Sequence, residues 1–414
     1  MLRQSLLGLI AFVLFAWLVS ENRNRFPFKL VIVGITIQLA LAALLIKVPI
    51  SQKLFLILNQ MVLALEHATQ AGTSMVFGYL GGGALPFPEL HPGGNAYILA
   101  FRGLPMILLI SALSSLLFYW KVLPRIVQAF SFFLQKTLGT GGAEGVGVAA
   151  NVFVGMVEAP LIIRPYLHKM TRSELFTLMT CGLATIAGTV MVLYASILRP
   201  ILPDIMGHIL TASLISAPAA IVISKIMIPE TSQTTDGTLE ENKNISSSID
   251  AITQGTQQGV QLLINIIAML IVMVALVHLC NIFLGLIPTT GEPLSLEKIL
   301  GNILAPITWL MGIPWAETSV AGALFGTKTV INEFVAYLNM AHIPAGTLSN
   351  RSLHIMSYAL YGFANPGSLG IMIGGMSAMV PQRRREIVTL GLKSLLAGTL
   401  ATSMTASIAA LLLG

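Results

Sequence analysis

Residues 151–165, Asn-Val-Phe-Val-Gly-Met-Val-Glu-Ala-Pro-Leu-Ile-Ile-Arg-Pro, decide how this chain is built, because they set a carboxylate, Glu158, inside a run otherwise suited to lipid. A charged side chain at bilayer depth is costly and normally faces a protein interior or a watery cavity, so Glu158 is a candidate functional residue. Gly155 before it and Pro160 after it interrupt the helix that their apolar neighbours would continue. Irregular backbone at membrane depth is tolerated only where it is buried in protein or lines a cavity.

The rival reading, a soluble core helix with one satisfied glutamate, conflicts with the composition. Of 414 residues 55% are hydrophobic and 10% charged, the mean hydropathy is +0.83, and a soluble domain carries roughly 25% charged residues. The chain reads as an all-α polytopic membrane protein. Its formal charge of +6 is gathered in short basic clusters beside apolar runs, which suits lipid headgroups and excludes a nucleic-acid face. Cys181 and Cys280 lie in apolar segments with no CxxC or Cys/His spacing, so they read as packing residues rather than a disulfide or zinc site. The apolar run from Leu6 to Val19 lacks a small-residue cleavage pattern before Glu21, and a second span follows at once; it reads as the first membrane helix.

Outward from the opening stretch, runs of about 20 apolar residues, enough to cross a bilayer, lie near 4–20, 29–48, 103–120, 174–198, 208–228, 258–287, 351–380 and 387–413. With about eight spans, positive-inside bookkeeping puts Arg23, Arg25, Lys29, Lys121, Arg125, Lys169, Arg172, Lys225 and Arg383 to Arg385 in the cytoplasm, and both termini outside. Residues 51–78 mix apolar side chains with Lys53, Gln60, Glu66 and His67, as an interfacial or cavity-facing helix would. Gly81 to Gly83 with Pro86, Pro88 and Pro92 mark a loop, and no Lys-Ser/Thr follows the glycines as a phosphate cradle would need. Residues 231–250 form the long polar stretch and read as a flexible cytoplasmic linker.

The halves on either side of that linker repeat one plan. The first runs from Asn151 to Glu158, then through the capping box Thr171-Arg-Ser-Glu174 into a span interrupted at Leu183-Ala-Thr-Ile-Ala-Gly188. The second runs through Ile331-Asn-Glu333-Phe-Val-Ala336, then Ser349-Asn-Arg-Ser, into a span interrupted at Gly362-Phe-Ala-Asn-Pro-Gly-Ser368. An odd number of crossings separates them, so they enter the bilayer from opposite faces. Gly- or Pro-interrupted hydrophobic segments at matching places of two inverted halves point to the midplane site of a secondary transporter. No HExxH, GxSxG-type elbow or paired aspartates within spans suggests an intramembrane enzyme, and the seven histidines are scattered. A channel would favour rings of one residue type around a continuous pore, and two opposed helix breaks suit alternating access better.

These motifs resemble the concentrative nucleoside transporter family, as a bacterial member, nearly along the whole chain. The resemblance rests on Gly72-Thr-Ser-Met-Val-Phe-Gly78, Asn151-Val-Phe-Val-Gly155, Glu158-Ala-Pro160, Asn332-Glu-Phe-Val-Ala-Tyr337 and Gly362-Phe-Ala-Asn365, in that order. It implies a homotrimer in the bacterial inner membrane, each protomer having a scaffold, a moving transport domain and two re-entrant hairpins at about 138–168 and 316–346. On that plan residues 1–122 are N-terminal scaffold, 123–230 the first half of the transport domain, 231–250 the linker, 251–295 a scaffold helix and 296–414 the second half.

Carried over by position, the resemblance implies that Gly155, Met156, Val157 and Glu158 face the nucleobase, Glu333 accepts hydrogen bonds from ribose hydroxyls, Asn365 and Ser368 complete the sugar site and Phe363 packs beside the solute. It implies a sodium site made by the side chains of Asn151 and Thr185 and the carbonyls of Val154 and Ile186, with no enzymatic cofactor. Oxygen ligands at a helix break suit a hard cation, while Glu158 or Glu333 could titrate instead, which leaves a proton-coupled symporter of nucleosides or related ribosylated solutes as the alternative. The chain departs from the family at Met156 and Val157, where members often have Gln-Thr, and at Pro366-Gly367, where they carry an apolar residue and Ser. A thioether and a branched methyl pair can pack on a base but cannot read its edge, so recognition should shift toward purine acceptance.

Overall fold

Why the chain is helical throughout its apolar runs follows from the solvent the composition implies: in lipid every backbone N–H and C=O must be paired within the segment. A computed structural model describes residues 2–86, 98–237, 245–287 and 293–413, apart from the side chains at 49–52, 54 and 55. Helices α1 (Leu2–Leu18), α2 (Phe28–Lys47), α3 (Pro49–Phe77), α4 (Leu99–Arg102), α5 (Met106–Tyr119) and α6 (Val122–Leu138) precede the first repeat. That repeat comprises α7 (Gly142–Phe153), α8 (Glu158–Ile162), α9 (Arg172–Ala184), α10 (Gly188–Leu198) and α11 (Ile205–Met227). After α12 (Ser248–Gly285) and α13 (Leu296–Leu310), the order recurs as α14 (Thr318–Val330), α15 (Glu333–Ala341), α16 (Asn350–Ala359), α17 (Pro366–Met379) and α18 (Arg384–Leu412).

Among the described residues, six helical stretches are long and apolar enough to cross a membrane, and they coincide with six of the eight expected spans. The other two differ for physical reasons. The first, α1, has 17 residues, somewhat short of the ~20 that the hydrocarbon thickness asks for. The seventh is split into α16 and α17, and α16 opens with the polar residues Asn350, Arg351, Ser352 and His354. The α12 helix begins at Ser248, ten residues before the expected span. Its cap is Ser247, whose hydroxyl accepts from the Asp250 amide, satisfying one of the orphan donors of a helix start.

Helices α9, α11 and α18 pack on one another through small and hydroxylated residues. Thr177 and Ser224 share a buried hydrogen bond of 2.9 Å, and Ser216 and Thr405 one of 3.2 Å; small side chains of this kind let helix backbones approach closely in lipid. The expected capping box closes on α9, with the Glu174 amide donating to Thr171 Oγ1 (3.1 Å) and the Thr171 amide to Glu174 Oε2 (2.8 Å). On the opposite flank, α12 lies chiefly along α5. Ala251, Gly255 and Gly259 of α12 are buried in that seam, while Ile264, Ile271, Leu276 and Phe283 are exposed.

The first part of the polar stretch is fastened to the helices. Over residues 231–237 it is laid across the start of α7: the Thr235 amide and hydroxyl donate to the Glu174 carboxylate at 2.8 Å each, and the Ala143 amide donates to the Thr235 carbonyl at 3.2 Å. Its acceptors are the reason, since Glu174 has an oxygen left over from its capping role. Residues 238–244 of the linker, and Pro88 and Pro92 of the proposed loop, lie outside the described residues.

Candidate functional site

At the tip between α7 and α8, apolar residues end one helix and Glu158 begins the next. The Glu158 carboxylate folds back over the tip onto Gly155, so that a Cβ there would push the carboxylate aside. Glu158, Gly155 and Val154 line a cavity of about 1890 Å³. Its other walls are α5, α6 and α12, through Ser111, Phe118, Gln128, Gln254 and Gln258, and Thr189 of α10. Lys121, Arg125, Arg164 and His168 also line it. Met156 and Val157 do not: Met156 is buried against α9 at Gly182, and Val157 packs on α17 at Gly375.

Glu333 sits deeper. It is 4% exposed, and both carboxylate oxygens are engaged, Oε1 accepting from the Tyr194 hydroxyl (2.7 Å) and Oε2 from the Asn365 side-chain amide (3.0 Å). Asn332 caps α15 by accepting from the Val335 amide (2.9 Å), which fixes Glu333 at the first helical position. Asn365 caps α17, its Oδ1 accepting from the Ser368 amide (2.8 Å). Pro366 therefore stands at the first position of α17, where its missing N–H costs nothing. Phe363 and Ser368 are half-buried beside Asn365, and the Tyr194 ring packs at a tilt against those of Phe334 and Tyr337, with centroids 5.9 and 5.0 Å away.

The two helix breaks meet. Gly362, with φ +130°, lies in a region that L side chains avoid, and any Cβ there would stand 3.0 Å from the carbonyl oxygens of Leu183 and Ala184 at the end of α9. The Tyr361 hydroxyl donates to the Ile186 carbonyl (3.4 Å). Thr185 caps α9, its hydroxyl lying 2.8 Å from the Cys181 carbonyl and 3.2 Å from that of Asn151. Asn151 is 1% exposed; its Nδ2 donates to the Gly147 carbonyl (3.1 Å), yet its Oδ1 is buried without a partner. A buried acceptor left unpaired is costly, and an oxygen so placed beside the α9 break suits a bound cation. Asn151 and Thr185 are thus brought together at the α9 break, and Glu333 and Asn365 at the α17 break with Ser368 and Phe363 next to them in the chain.

Three partners escaped the sequence reading. Tyr194 carried no signal, being one aromatic in an apolar span. Glu66 of α3 accepts from Ser196 and pairs with Arg199 at 2.8 Å, so Ser196 belongs to an ion-pair cluster. Lys328 is fully buried on α14; as an ionisable residue in an apolar segment it met the same criterion that singled out Glu158.

Opposed helix breaks, each with an acid at the start of the preceding short helix, define a membrane transporter of the inverted-repeat class. Comparison narrows the class. Residues 7–80 match the family model for the Na+ dependent nucleoside transporter N-terminus, 208–410 the corresponding C-terminus, and 100–201 a model described as nucleoside recognition. The chain is 35% identical to "Nucleoside permease NupC" of Helicobacter pylori over 99% of its own length and 97% of that protein's. It is 38% identical to "Uncharacterized transporter YutK" of Bacillus subtilis over 98% of each. Among solved structures it resembles CNTnw in an inward-facing substrate-bound state (TM-score 0.89, 36% identity, 100% and 99% of the two chains) and a single-substitution variant of CNTnw in the intermediate 2 state (TM-score 0.92, 36% identity, 100% and 99%). The chain belongs to the concentrative nucleoside transporter family, whose matched members are permeases rather than enzymes.

Proposed function

We propose that the chain imports nucleosides across the bacterial inner membrane by sodium symport, through alternating access of a transport domain built from the two repeats. The observation that carries this reading is the Glu333 carboxylate, buried at the junction of α15, α10 and the α17 break with a hydrogen-bond donor on each oxygen. Such a site rejects solutes that leave its polar groups unpaired, and ribose hydroxyls can pair them. Before solute arrives Tyr194 and Asn365 hold the acid in place, and the sugar enters between them. Glu158, facing the cavity, meets the base. With Met156 and Val157 turned into the protein, no side chain at those positions reads a base edge, which supports purine acceptance.

Sodium is supported by the unpartnered Asn151 oxygen together with the Thr185 hydroxyl and the Val154 and Ile186 carbonyls, the hard donors such an ion prefers. The basic lining of the large cavity supports a cytoplasmic opening and an inward-facing state, with both termini outside. The α7–α8 and α14–α15 pairs serve as the re-entrant hairpins, and the exposed apolar flank of α12 supports assembly as a homotrimer in the bilayer. Uptake of labelled uridine and adenosine into proteoliposomes, under a sodium gradient, a proton gradient or neither, tests the reading. Concentrative uptake driven by sodium is expected; uptake indifferent to both gradients would refute it.

A further inference from the structure

Superposed by element order, the repeats place Asn151 and Lys328 at equivalent positions. Asn151 lies two residues before the end of α7, at Phe153, and Lys328 two residues before the end of α14, at Val330. Each side chain also addresses the helix that breaks in its own repeat. Asn151 Oδ1 is buried and unpartnered beside α9. Lys328 Nζ instead donates to the carbonyl of Ala359, the last residue of α16, at 2.7 Å, and to Thr402 Oγ1 of α18 at 2.9 Å.

Lys328 is 0% exposed and, among the described residues, makes no salt bridge within 4.0 Å, the Glu333 carboxylate acting on it only from a distance. A buried ammonium is expensive unless its surroundings replace water. Here the replacement is a helix C-terminal carbonyl, where the helix dipole favours a cation, a hydroxyl, and the Phe325 ring, whose centroid is 5.3 Å from Nζ. A carbonyl at a helix break plus a Thr hydroxyl is the donor chemistry that the first repeat gathers around Thr185. Thr402 also abuts Gly362, a Cβ of which would stand 2.8 Å from Thr402 Cγ2, so the ammonium sits at the α16–α17 break itself.

We propose that Lys328 is a tethered cation occupying, in the second repeat, the position that a free cation takes in the first. The second repeat then needs no ion of its own, each solute moves with one sodium, and the Lys328 ammonium, five residues before Glu333 in the chain, holds the α16–α17 break in shape. This rests on the sodium reading of the Asn151 site.

The test uses the full-length protein in proteoliposomes. The wild type should carry one labelled sodium per uridine, with a hyperbolic dependence on sodium. Lys328→Asn, which leaves space and an amide oxygen like that of Asn151, should lose about tenfold of its uptake at low sodium, recover it at high sodium, and show a Hill coefficient rising from about one to about two. Lys328→Met, similar in size but without charge or oxygen, should not recover at any sodium concentration. A wild-type ratio of two sodium ions per uridine overturns the proposal without recourse to any variant. So does a folded Lys328→Asn protein whose sodium curve matches the wild type or whose uptake never recovers, or a Lys328→Met protein that transports normally. Wild-type uptake that ignores sodium would instead refute the ion reading beneath it, a result the variants do not affect.

Discussion

Each oxygen of Glu333 has its own donor, and that pairing makes the residue sensitive to changes that preserve its shape. Glu333→Gln turns one acceptor into an N–H2 that faces either the Tyr194 hydroxyl or the Asn365 amide. One of those donors must then turn away or stay unpaired. Hydrogen bonds to a charged group contribute roughly 1.5–3 kcal/mol, so uridine uptake should fall by about 10- to 100-fold or more while the protein remains folded; near-normal uptake would contradict the sugar-site assignment. Tyr194→Phe removes one such bond and leaves the acid with Asn365 and the solute, and should cost about tenfold or more, expressed in the uridine KM. At the tip between α7 and α8, Val157→Thr with Met156→Gln should leave the adenosine-to-uridine uptake ratio unchanged, because both positions are turned into the protein. A ratio shifted toward uridine would show that the tip reorients during transport and brings polar groups to a pyrimidine edge.

At the scale of elements, the loop between α1 and α2 is fastened to α9 and α18 by charge. Glu21 accepts from Arg172 at 2.9 Å and pairs with Lys393 at 2.7 Å, and Arg172 also reaches Glu386 at 3.8 Å. The Arg172 guanidinium first, and the Lys393 ammonium after it, hold the Glu21 carboxyl down at about 2 from its ordinary 4.5, against the burial that pushes it up. Because the folded value is the lower one, the stabilisation is complete above about 4.5 and drains away as pH falls toward about 2. Half-exposed pairs of this kind contribute ~1 kcal/mol or less, so Glu21→Gln should lower the unfolding temperature slightly at pH 7, and the gap should close across that acid window. A gap that persists at the acid end would show that packing, not charge, holds the loop. This fastening was invisible in the sequence, where Glu21, Arg172 and Lys393 are far apart, whereas the elements they join were legible. The break in α9 announced itself through Ala187-Gly188, and that in α17 through Asn365-Pro366-Gly367, because backbone chemistry is local. The same locality explains the capping box at Thr171. What locality cannot supply is partnership: that Tyr194 reaches Glu333, that residues 231–237 lie on α7, or that Met156 turns inward follows from which helices the fold brings together.

For the molecule as a whole, the distinction that matters is between a pore and a carrier whose site opens to one face at a time. The 1890 Å³ cavity is lined by Glu158 but not by Glu333 or Asn365, which are buried, and Met269 of α12 packs against Gly367 at the start of α17. On the inward-facing reading proposed above, the cavity walls are offered to the cytoplasm alone. Gln128 on α6 and Gln258 on α12 line the cavity from two sides and are exposed, which makes them suitable reporters. Cys280 is exposed and Cys181 buried, so a Cys280→Ser background carrying Gln128→Cys or Gln258→Cys leaves one reactive thiol. A membrane-impermeant maleimide should label that thiol from the cytoplasmic face and hardly at all from the outer face, and an inward sodium gradient with external uridine should slow labelling as the transport domain turns over. Equal labelling from both faces, unchanged by sodium or uridine, would mean that both ends of the path are open together, and the alternating movement of the two repeats would have to be abandoned.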